Sequence, residues 1–319
     1  MKIIVFANHI AVLPALDHFK KLGWLQAVIS TDKLQGPNLQ IRAYCGRESV
    51  PFFQVSKKQL NEDVKAKIDM LQPDLAVMFG FSYRIPENIF SIPKLGFYNV
   101  HFSLLPAYKG PDPIFWQIKN GETMGGISIH KVNEEFDEGE IVMQQQIPFI
   151  PGENWGICNN RYAVAVQNML IQFTQELYAG NNLPELQAQQ NSTYYKRPER
   201  QDLTINWAQM SAMEIENLVN AANPCYGGAI TYLNHQPISI LEVTPATLSS
   251  TADYKPGMIV HSHPDSGIFV ACKQNEYLRI NVMQTTDGIL SGFKLAALGV
   301  QAGQSFETTV VNIPETTLT

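Results

Sequence analysis

The sequence lacks the signatures of several protein classes. Its four cysteines, Cys45, Cys158, Cys225 and Cys272, form no Cys-x-x-Cys pair. They therefore predict neither a zinc site nor a redox motif, and reduced thiols in a cytoplasmic protein are the simplest interpretation. Residues 1–9 contain an apolar run of only five residues, which is too short for a signal peptide or a membrane span. We expect a cytoplasmic protein with no membrane partner.

A surplus of basic residues is missing as well, most clearly from the C-terminal part. Residues 202–319 contain 4 Lys+Arg and 10 Asp+Glu, a net charge of −6, whereas residues 1–201 contain 19 of each and are neutral. Binding to nucleic acid needs a basic face that neutralises phosphates. The C-terminal part is therefore not expected to bind RNA or DNA.

Two ligand motifs are absent or incomplete. The turn after the first apolar run, residues 6–9, has no Gly-x-Gly-x-x-Gly fingerprint, so a pyrophosphate has no glycine-rich cradle there and a dinucleotide oxidoreductase is disfavoured. His261 and His263 are two positions apart and could share one face of a strand. Because no further ligand is evident, we interpret them as a polar turn and expect no metal.

Apolar runs and helical patterns are what the sequence does contain. With 45% hydrophobic and 16% charged residues, it can bury at least one substantial core. The rhythm of the first half predicts a Rossmann-like, mostly parallel α/β sheet. Strands are predicted at 3–6, 25–29, 75–79, 97–101, 126–130 and 140–148, with helices at 57–71 and 154–179.

The second half alternates short β-like runs with Gly, Pro and Asn turns, after one short helix at 212–222. This spacing predicts a small OB-like β-barrel. The strands are predicted at 228–233, 238–243, 257–260, 268–271 and 277–282. We therefore divide the chain into a catalytic domain at 1–182, a linker at 183–201 and a C-terminal barrel domain at 202–319.

A polar pair ends the predicted strand at 97–101. Side chains alternate along a strand, so Asn99 and His101 project to one face, at the carboxyl end where ligands bind in open α/β sheets. An imidazole can exchange a proton near neutral pH, and an amide can donate a hydrogen bond to an oxyanion. Asp137, followed by Gly139 in a polar loop, is the candidate for orienting His101.

These residues lie in a longer pattern. Asn99-x-His101-x-Ser103-Leu104-Leu105-Pro106 is followed by 107–113, Trp116, 120–122, 125–130 and the Asp-x-Gly loop at 136–141. This pattern closely resembles the 10-formyltetrahydrofolate-dependent formyltransferases, and residues 195–198, 205–207, 224–229 and 256–257 resemble the linker and C-terminal domain of the methionyl-tRNA formyltransferases. The chain departs from the family at Arg84, usually Leu, at Phe136, usually Leu, and at Glu138, usually Thr.

The resemblance implies roles for the matching residues. Asn99 would stabilise the oxyanion of a tetrahedral intermediate, His101 would move the proton of the attacking amine, and Asp137 would tune His101. The donor would be 10-formyltetrahydrofolate, with no metal. The implied folate contacts are Phe81, Tyr83, Arg84, Ile85, Ser103, Leu104, Leu105, Pro106, Asn133, Glu134, Glu135 and Phe136.

The acceptor amine is a separate question. Methionyl-tRNA formyltransferases carry a basic insertion after the second strand and a basic C-terminal domain, whereas residues 30–38 here contain one Lys and one Asp. The resemblance therefore favours the relatives that formylate small molecules, such as nucleotide-linked amino sugars. Alternatives are methionyl-tRNA as acceptor, a formyltetrahydrofolate hydrolase and a non-catalytic binding protein. The missing Gly-Ser-Gly loop disfavours the glycinamide ribonucleotide branch, and a homodimer is possible.

Overall fold

The computed structural model of the protein describes residues 1–32, 36–183, 191–249 and 252–309. The chain forms two compact units. The first contains Met1–Pro113, Met124–Phe149 and Asn159–Lys196, and the second contains Ile114–Thr123, Ile150–Cys158 and the chain from Arg197 onward. Of the predicted linker, residues 184–190 lie outside the described residues, as do 33–35 of the segment after the second strand.

The first unit is built on a seven-stranded sheet of order β3-β2-β1-β4-β5-β6-β7. Strands β1 to β5 pair in parallel, whereas β6 is antiparallel to both β5 and β7. The mostly parallel sheet is therefore confirmed. The strands are β1 Ile3–Ala7, β2 Leu25–Thr31, β3 Phe52–Val55, β4 Leu75–Phe79, β5 Phe97–His101, β6 Met124–Lys131 and β7 Ile141–Pro148.

Helices cover this sheet, which explains why β1, β4 and β5 are buried along their whole length and read as continuous apolar runs. The predicted helix at 57–71 begins instead with a π-helical turn, Leu60–Val64, before α3. Its apolar face still packs into the core through Leu60, Val64 and Ile68. The helices of this unit are α1 Leu13–Lys21, α2 Gly36–Arg47, α3 Lys65–Leu71 and α4 Glu87–Phe90. Helix α5 Pro113–Lys119 belongs to the second unit except for Pro113, and α6 Trp155–Tyr178 belongs to the first unit from Asn159 onward.

The second unit carries an antiparallel sheet of half-barrel form, with strands in the order β10-β11-β12-β9-β8-β14 and with β13 beside β12. This confirms the predicted β-sheet fold of the C-terminal part, which also contains a helix, α8, that the sequence analysis did not predict. Its elements are α7 Ala212–Ala222, β8 Ala229–Leu233, β9 Gln236–Ala246, β10 Ile259–His263, β11 Gly267–Ala271, β12 Tyr277–Thr285, β13 Gly288–Ser291, α8 Gly292–Ala297 and β14 Phe306–Glu307.

One buried aromatic fixes the end of this second sheet. The Trp207 indole is 2% exposed, stacks on Phe306 and donates a hydrogen bond to Thr231 Oγ1 at 2.9 Å.

The interpretation of His261 and His263 as a turn is wrong, because both belong to β10. Across the described ranges, no helix has the length and apolar composition of a membrane span.

Candidate active site

Strand β5 positions the predicted catalytic pair. Asn99 and His101 point to the same face of the sheet, and each is only 6% exposed. Tyr98 points to the opposite face, where its ring meets Phe173 of α6 with centroids 4.8 Å apart. The strand is central in the sheet, between β4 and β6. Packing on both sides therefore holds the amide and the imidazole rigidly.

The loop between β6 and β7 brings a carboxylate to this pair. Asp137 Oδ1 lies 3.5 Å from His101 Nδ1 and accepts a hydrogen bond from Asn99 Nδ2 at 3.2 Å. Asp137 Oδ2 accepts a second hydrogen bond, from the backbone N–H of Gly110, at 2.9 Å. The structure thus brings Asn99, His101 and Asp137 together, although 38 residues separate Asn99 from Asp137.

Backbone geometry aims the carboxylate. Asp137 has a left-handed conformation with φ of 56°, which is uncommon outside glycine and is best tolerated by Asp and Asn. Two residues later, a Cβ on Gly139 would lie 1.8 Å from the Lys131 carbonyl oxygen. Only glycine fits there, since the loop returns directly against the end of β6.

The charge state of Asp137 follows from opposing effects. Burial alone would raise the pKa of its carboxyl group. The neighbouring charges of His101 and His130 and the hydrogen bonds from His130 and the Gly110 amide outweigh burial and hold the pKa well below its usual range. Asp137 is therefore a carboxylate throughout the neutral range, and it can stabilise a protonated imidazole beside it.

His130, on β6, is a site residue that the sequence analysis did not single out. It pairs with Asn99 across the β5–β6 ladder, and its Nε2 lies 3.0 Å from Asn99 Nδ2 and 3.5 Å from Asp137 Oδ1. It is 2% exposed. The signal in the sequence is the alternation of residues 127–130, but its partner becomes evident only once the antiparallel register is known.

Hydrogen bonds hold the turn after β5 against β6 and against His101. Ser128 Oγ donates to the Ser103 carbonyl at 2.6 Å and accepts from the Leu105 N–H at 3.0 Å. Ser103, Leu104 and Leu105 are buried, while Pro106 is partly exposed. At the end of this turn the Tyr108 carbonyl oxygen lies 2.8 Å from His101 Nε2.

A cleft opens beside Asn99, His130 and Asp137. Six of the twelve implied folate contacts line it, together with Met78 and Val132: these six are Tyr83, Arg84, Ile85, Asn133, Glu135 and Phe136. Phe81 lies in the core, where its ring meets Phe6 at 5.3 Å. Glu134 is exposed. The contact of all twelve residues with folate stays a prediction.

Ion pairs surround the cleft. Lys109, itself buried, lies 2.5 Å from Glu138, Arg84 lies 3.4 Å from Glu135, and Lys131 pairs with Glu140. Each of these cations is matched by a carboxylate from the loop between β6 and β7. The departures from the family pattern at Arg84 and Glu138 are therefore balanced by partners in this chain.

This arrangement suits acyl transfer to an amine. It places a carboxylate within 3.5 Å of both an amide donor and an imidazole at the carboxyl edge of an α/β sheet. Within the described residues, no group of three or more His, Cys, Asp and Glu side chains has metal-binding geometry.

Comparison with known proteins decides the family. A model of the formyl transferase domain matches residues 1–174, and a model of the formyl transferase C-terminal domain matches residues 198–292. The chain belongs to the formyl transferase family. This confirms the family, the fold class and the class of enzyme that the sequence predicts.

The formyltransferase has sequence relatives named methionyl-tRNA formyltransferase. That of Thermotoga maritima is 28% identical over 269 residues, 81% of this chain and 83% of the relative. That of Enterococcus faecalis is 31% identical over 218 residues, 68% of each chain.

Solved structures share the fold at low sequence identity. The N-formyltransferase of Helicobacter canadensis, in complex with folinic acid and dTDP-3-aminofucose, has a TM-score of 0.66 at 17% identity, covering 88% of this chain and 98% of its own. HypX of Aquifex aeolicus, in complex with tetrahydrofolic acid, has a TM-score of 0.63 at 15% identity and covers 95% of this chain. The match spans only 48% of HypX.

Proposed function

We propose that this formyltransferase, whose one-carbon donor is 10-formyltetrahydrofolate, transfers the formyl group to the primary amine of a small molecule such as a nucleotide-linked amino sugar. The observation that carries the proposal is the position of Asp137, whose Oδ1 lies within 3.5 Å of both Asn99 and His101. Removing either partner would leave a buried carboxylate with fewer hydrogen bonds.

The chemistry follows from these three side chains. The neutral amine attacks the formyl carbon, and the carbonyl oxygen becomes an oxyanion that accepts a hydrogen bond from the Asn99 amide. A carbonyl oxygen can only accept, so His101 Nε2 donates its hydrogen to Tyr108. His101 Nδ1 is then the atom that takes the amine proton, with Asp137 stabilising the imidazolium. The bond from carbon to N10 breaks, and N10 regains a proton as tetrahydrofolate leaves.

The cleft supports the folate side of the proposal. Tyr83 and Ile85 offer apolar surface, and the loop at 133–137 offers polar groups, all beside Asn99. Structural neighbours crystallised with tetrahydrofolic acid or folinic acid agree with this donor.

Charge supports a small acceptor. Lys109, Arg84 and Lys131 are each paired with a glutamate of one loop, so these three cations do not form the extended basic surface that the many phosphates of a tRNA need. The net charge of −6 in residues 202–319 points the same way. Neighbours that are sugar N-formyltransferases provide the parallel for this acceptor class.

Methionyl-tRNA is the second candidate acceptor. The specific observation in its favour is that sequence relatives 28% to 31% identical over two thirds or more of the chain are named methionyl-tRNA formyltransferase. A hydrolase that uses water as the acceptor is the remaining alternative, because the same three side chains could activate water.

The test is the release of tetrahydrofolate from 10-formyltetrahydrofolate with a panel of nucleotide-linked amino sugars, free amino acids and methionyl-tRNA, beside a reaction without acceptor. Transfer to a small amine supports the proposal. Transfer to methionyl-tRNA alone, or equal release without acceptor, contradicts it. His101→Ala is expected to abolish transfer, whereas His263→Ala, an exposed histidine of β10, is expected to retain it.

A further inference from the structure

Two imidazoles are arranged in the same way around one carboxylate oxygen. His101 Nδ1 and His130 Nε2 each lie 3.5 Å from Asp137 Oδ1. The other nitrogen of each ring lies beside a backbone carbonyl oxygen, that of Tyr108 at 2.8 Å for His101 and that of Lys131 at 2.9 Å for His130. Since a carbonyl oxygen can only accept, both outer nitrogens carry hydrogen, and both inner nitrogens face Asp137.

This symmetry limits how many protons the pair holds. Both rings are buried, at 6% exposure for His101 and 2% for His130. A single carboxylate balances the charge of one imidazolium, and a second positive charge would be buried without a partner. The two rings and Asp137 therefore share one extra proton, which is held by either His101 or His130.

The hydrogen bonds of Asn99 depend on which of the two rings holds the proton. Its amide nitrogen has two hydrogens, and both are directed at neighbours, one at His130 Nε2 at 3.0 Å and one at Asp137 Oδ1 at 3.2 Å. A neutral His130 accepts the first of these. A protonated His130 cannot accept it, which releases one N–H of Asn99 for an oxyanion.

The two rings also differ in what they face. His130 lines the cleft together with six implied folate contacts, whereas His101 does not line it. His130 therefore lies beside the six implied folate contacts that line the cleft, and His101 lies next to the turn that ends at Tyr108.

We infer that His130 is the second proton carrier of formyl transfer, delivering the proton that N10 of tetrahydrofolate needs as its bond to the formyl carbon breaks. The inference rests on the proposed function. The amine proton passes to His101 Nδ1 as the new C–N bond forms, and the His130 Nε2 proton passes to N10. The proton on His101 then returns to His130 across Asp137 Oδ1, so the proton count is restored after each turnover.

The charged groups around His130 come from four parts of the chain. Asp137 and the Arg84–Glu135 pair lie across the cleft, His101 lies on β5, and the Lys131–Glu140 pair lies at the end of β6. The pairs are internally balanced.

His130→Gln tests the role directly in the full chain. Glutamine can still accept the Asn99 hydrogen bond but cannot carry a proton. We expect kcat to fall on the order of a hundredfold, KM for 10-formyltetrahydrofolate to change less than threefold, and the pH profile of kcat to lose one ionisation. His18→Gln, a histidine of α1, is the matched control. A wild-type kcat with an unchanged pH profile in His130→Gln would overturn the inference.

A second measurement needs no activity and no folding of His130→Gln. Nitrogen NMR of the histidine rings in the wild-type chain is expected to show one proton shared between His101 and His130, and Asp137→Asn is expected to abolish that sharing. His130 keeping one neutral tautomer across the range in which kcat changes would refute the role. If the wild-type chain transfers no formyl group to any amine, the proposed function fails, whereas the NMR result still judges the proton-sharing pair.

Discussion

The histidines of the two sheets differ in their exposure to solvent. The sheet of the first unit buries His101 and His130 at the carboxyl end of β5 and on β6, with a shared carboxylate. The antiparallel sheet of the second unit keeps His261 and His263 exposed on β10 and pairs His235 with Glu307 at the surface. Both arrangements give imidazoles polar partners. The partners are buried in a low dielectric in the first sheet and exposed to water in the second.

The difference explains where chemistry is expected. A buried carboxylate between two imidazoles is screened little by water, so moving one proton changes the energy of every neighbouring group. An exposed pair exchanges protein partners for water at small cost. The polar groups of the second sheet therefore contribute to surface and packing, and the first sheet concentrates the groups that can respond to a substrate.

The largest effect is expected from the shared carboxylate. Asp137→Asn keeps the shape of the side chain but removes the charge that stabilises an imidazolium, so kcat is expected to fall on the order of a thousandfold. Steady-state release of tetrahydrofolate with the best acceptor measures it, with circular dichroism to confirm folding. A folded Asp137→Asn protein with more than a tenth of wild-type kcat would remove the distinction between the two sheets.

A smaller loss is expected at the amide. Asn99→Ala removes the hydrogen-bond donor for the oxyanion, and such losses are on the order of a hundredfold or more in kcat. Asn206→Ala, in the second unit and bonded to the Gln209 side chain at 3.0 Å, is the matched control and is expected to keep wild-type kcat. Equal rates in both variants would show that Asn99 is only a packing residue of β5.

Local sequence was sufficient for the strands that carry the site. The apolar run that became β4 lies between Asp74 and Gly80, and β5 begins directly after Gly96. The predicted limits at 75–79 and 97–101 match the observed strands. Strand β3 was missed because Phe52–Val55 is short and half-buried, so its pattern is weak. The π-helical start of the helix at 57–71 was missed because its apolar spacing is the same as that of an α-helix.

Local sequence predicted only part of the candidate site. Asn99 and His101 are two residues apart on one strand, which is local information, and the Asp-x-Gly loop supplied Asp137 by its resemblance to a family. His130 required the pairing of Asn99 with His130 across β5 and β6, which is a register that no local pattern specifies. Proton sharing is therefore a property of the fold rather than of a motif.

Stability should distinguish partly buried from exposed histidines as well. Burial lowers the pKa of His9, at the end of β1, to about 4, against the opposing charge of Asp112 and a hydrogen bond with Asn159. Between pH 6.5 and 4 the unfolded chain binds a proton at His9 that the folded chain does not. Folding stability is therefore expected to fall as pH falls through this window, by up to about 3 kcal/mol.

The measurement is urea unfolding at pH 7, 5.5 and 4 for the wild type, His9→Asn and the exposed His263→Asn. Asparagine can replace the hydrogen bond that His9 Nδ1 accepts from the Ala11 N–H. We expect His9→Asn to lose less stability between pH 7 and pH 4 than the other two proteins. Three parallel curves would mean that His9 is solvated like the histidines of β10.

The smallest effect is expected at the surface pair of the second sheet. His235 Nδ1 lies 3.0 Å from Glu307 Oε2, and the His235 side chain is 47% exposed. Glu307→Gln keeps the shape and one hydrogen-bond acceptor, so unfolding free energy is expected to change by less than about 1 kcal/mol, with kcat unchanged. Because salt screens exposed charges, the difference should shrink further in 0.5 to 1 M NaCl, to about zero. A change in kcat would contradict the assignment of chemistry to the first sheet, and a large, salt-independent loss of stability would show that this pair is effectively buried.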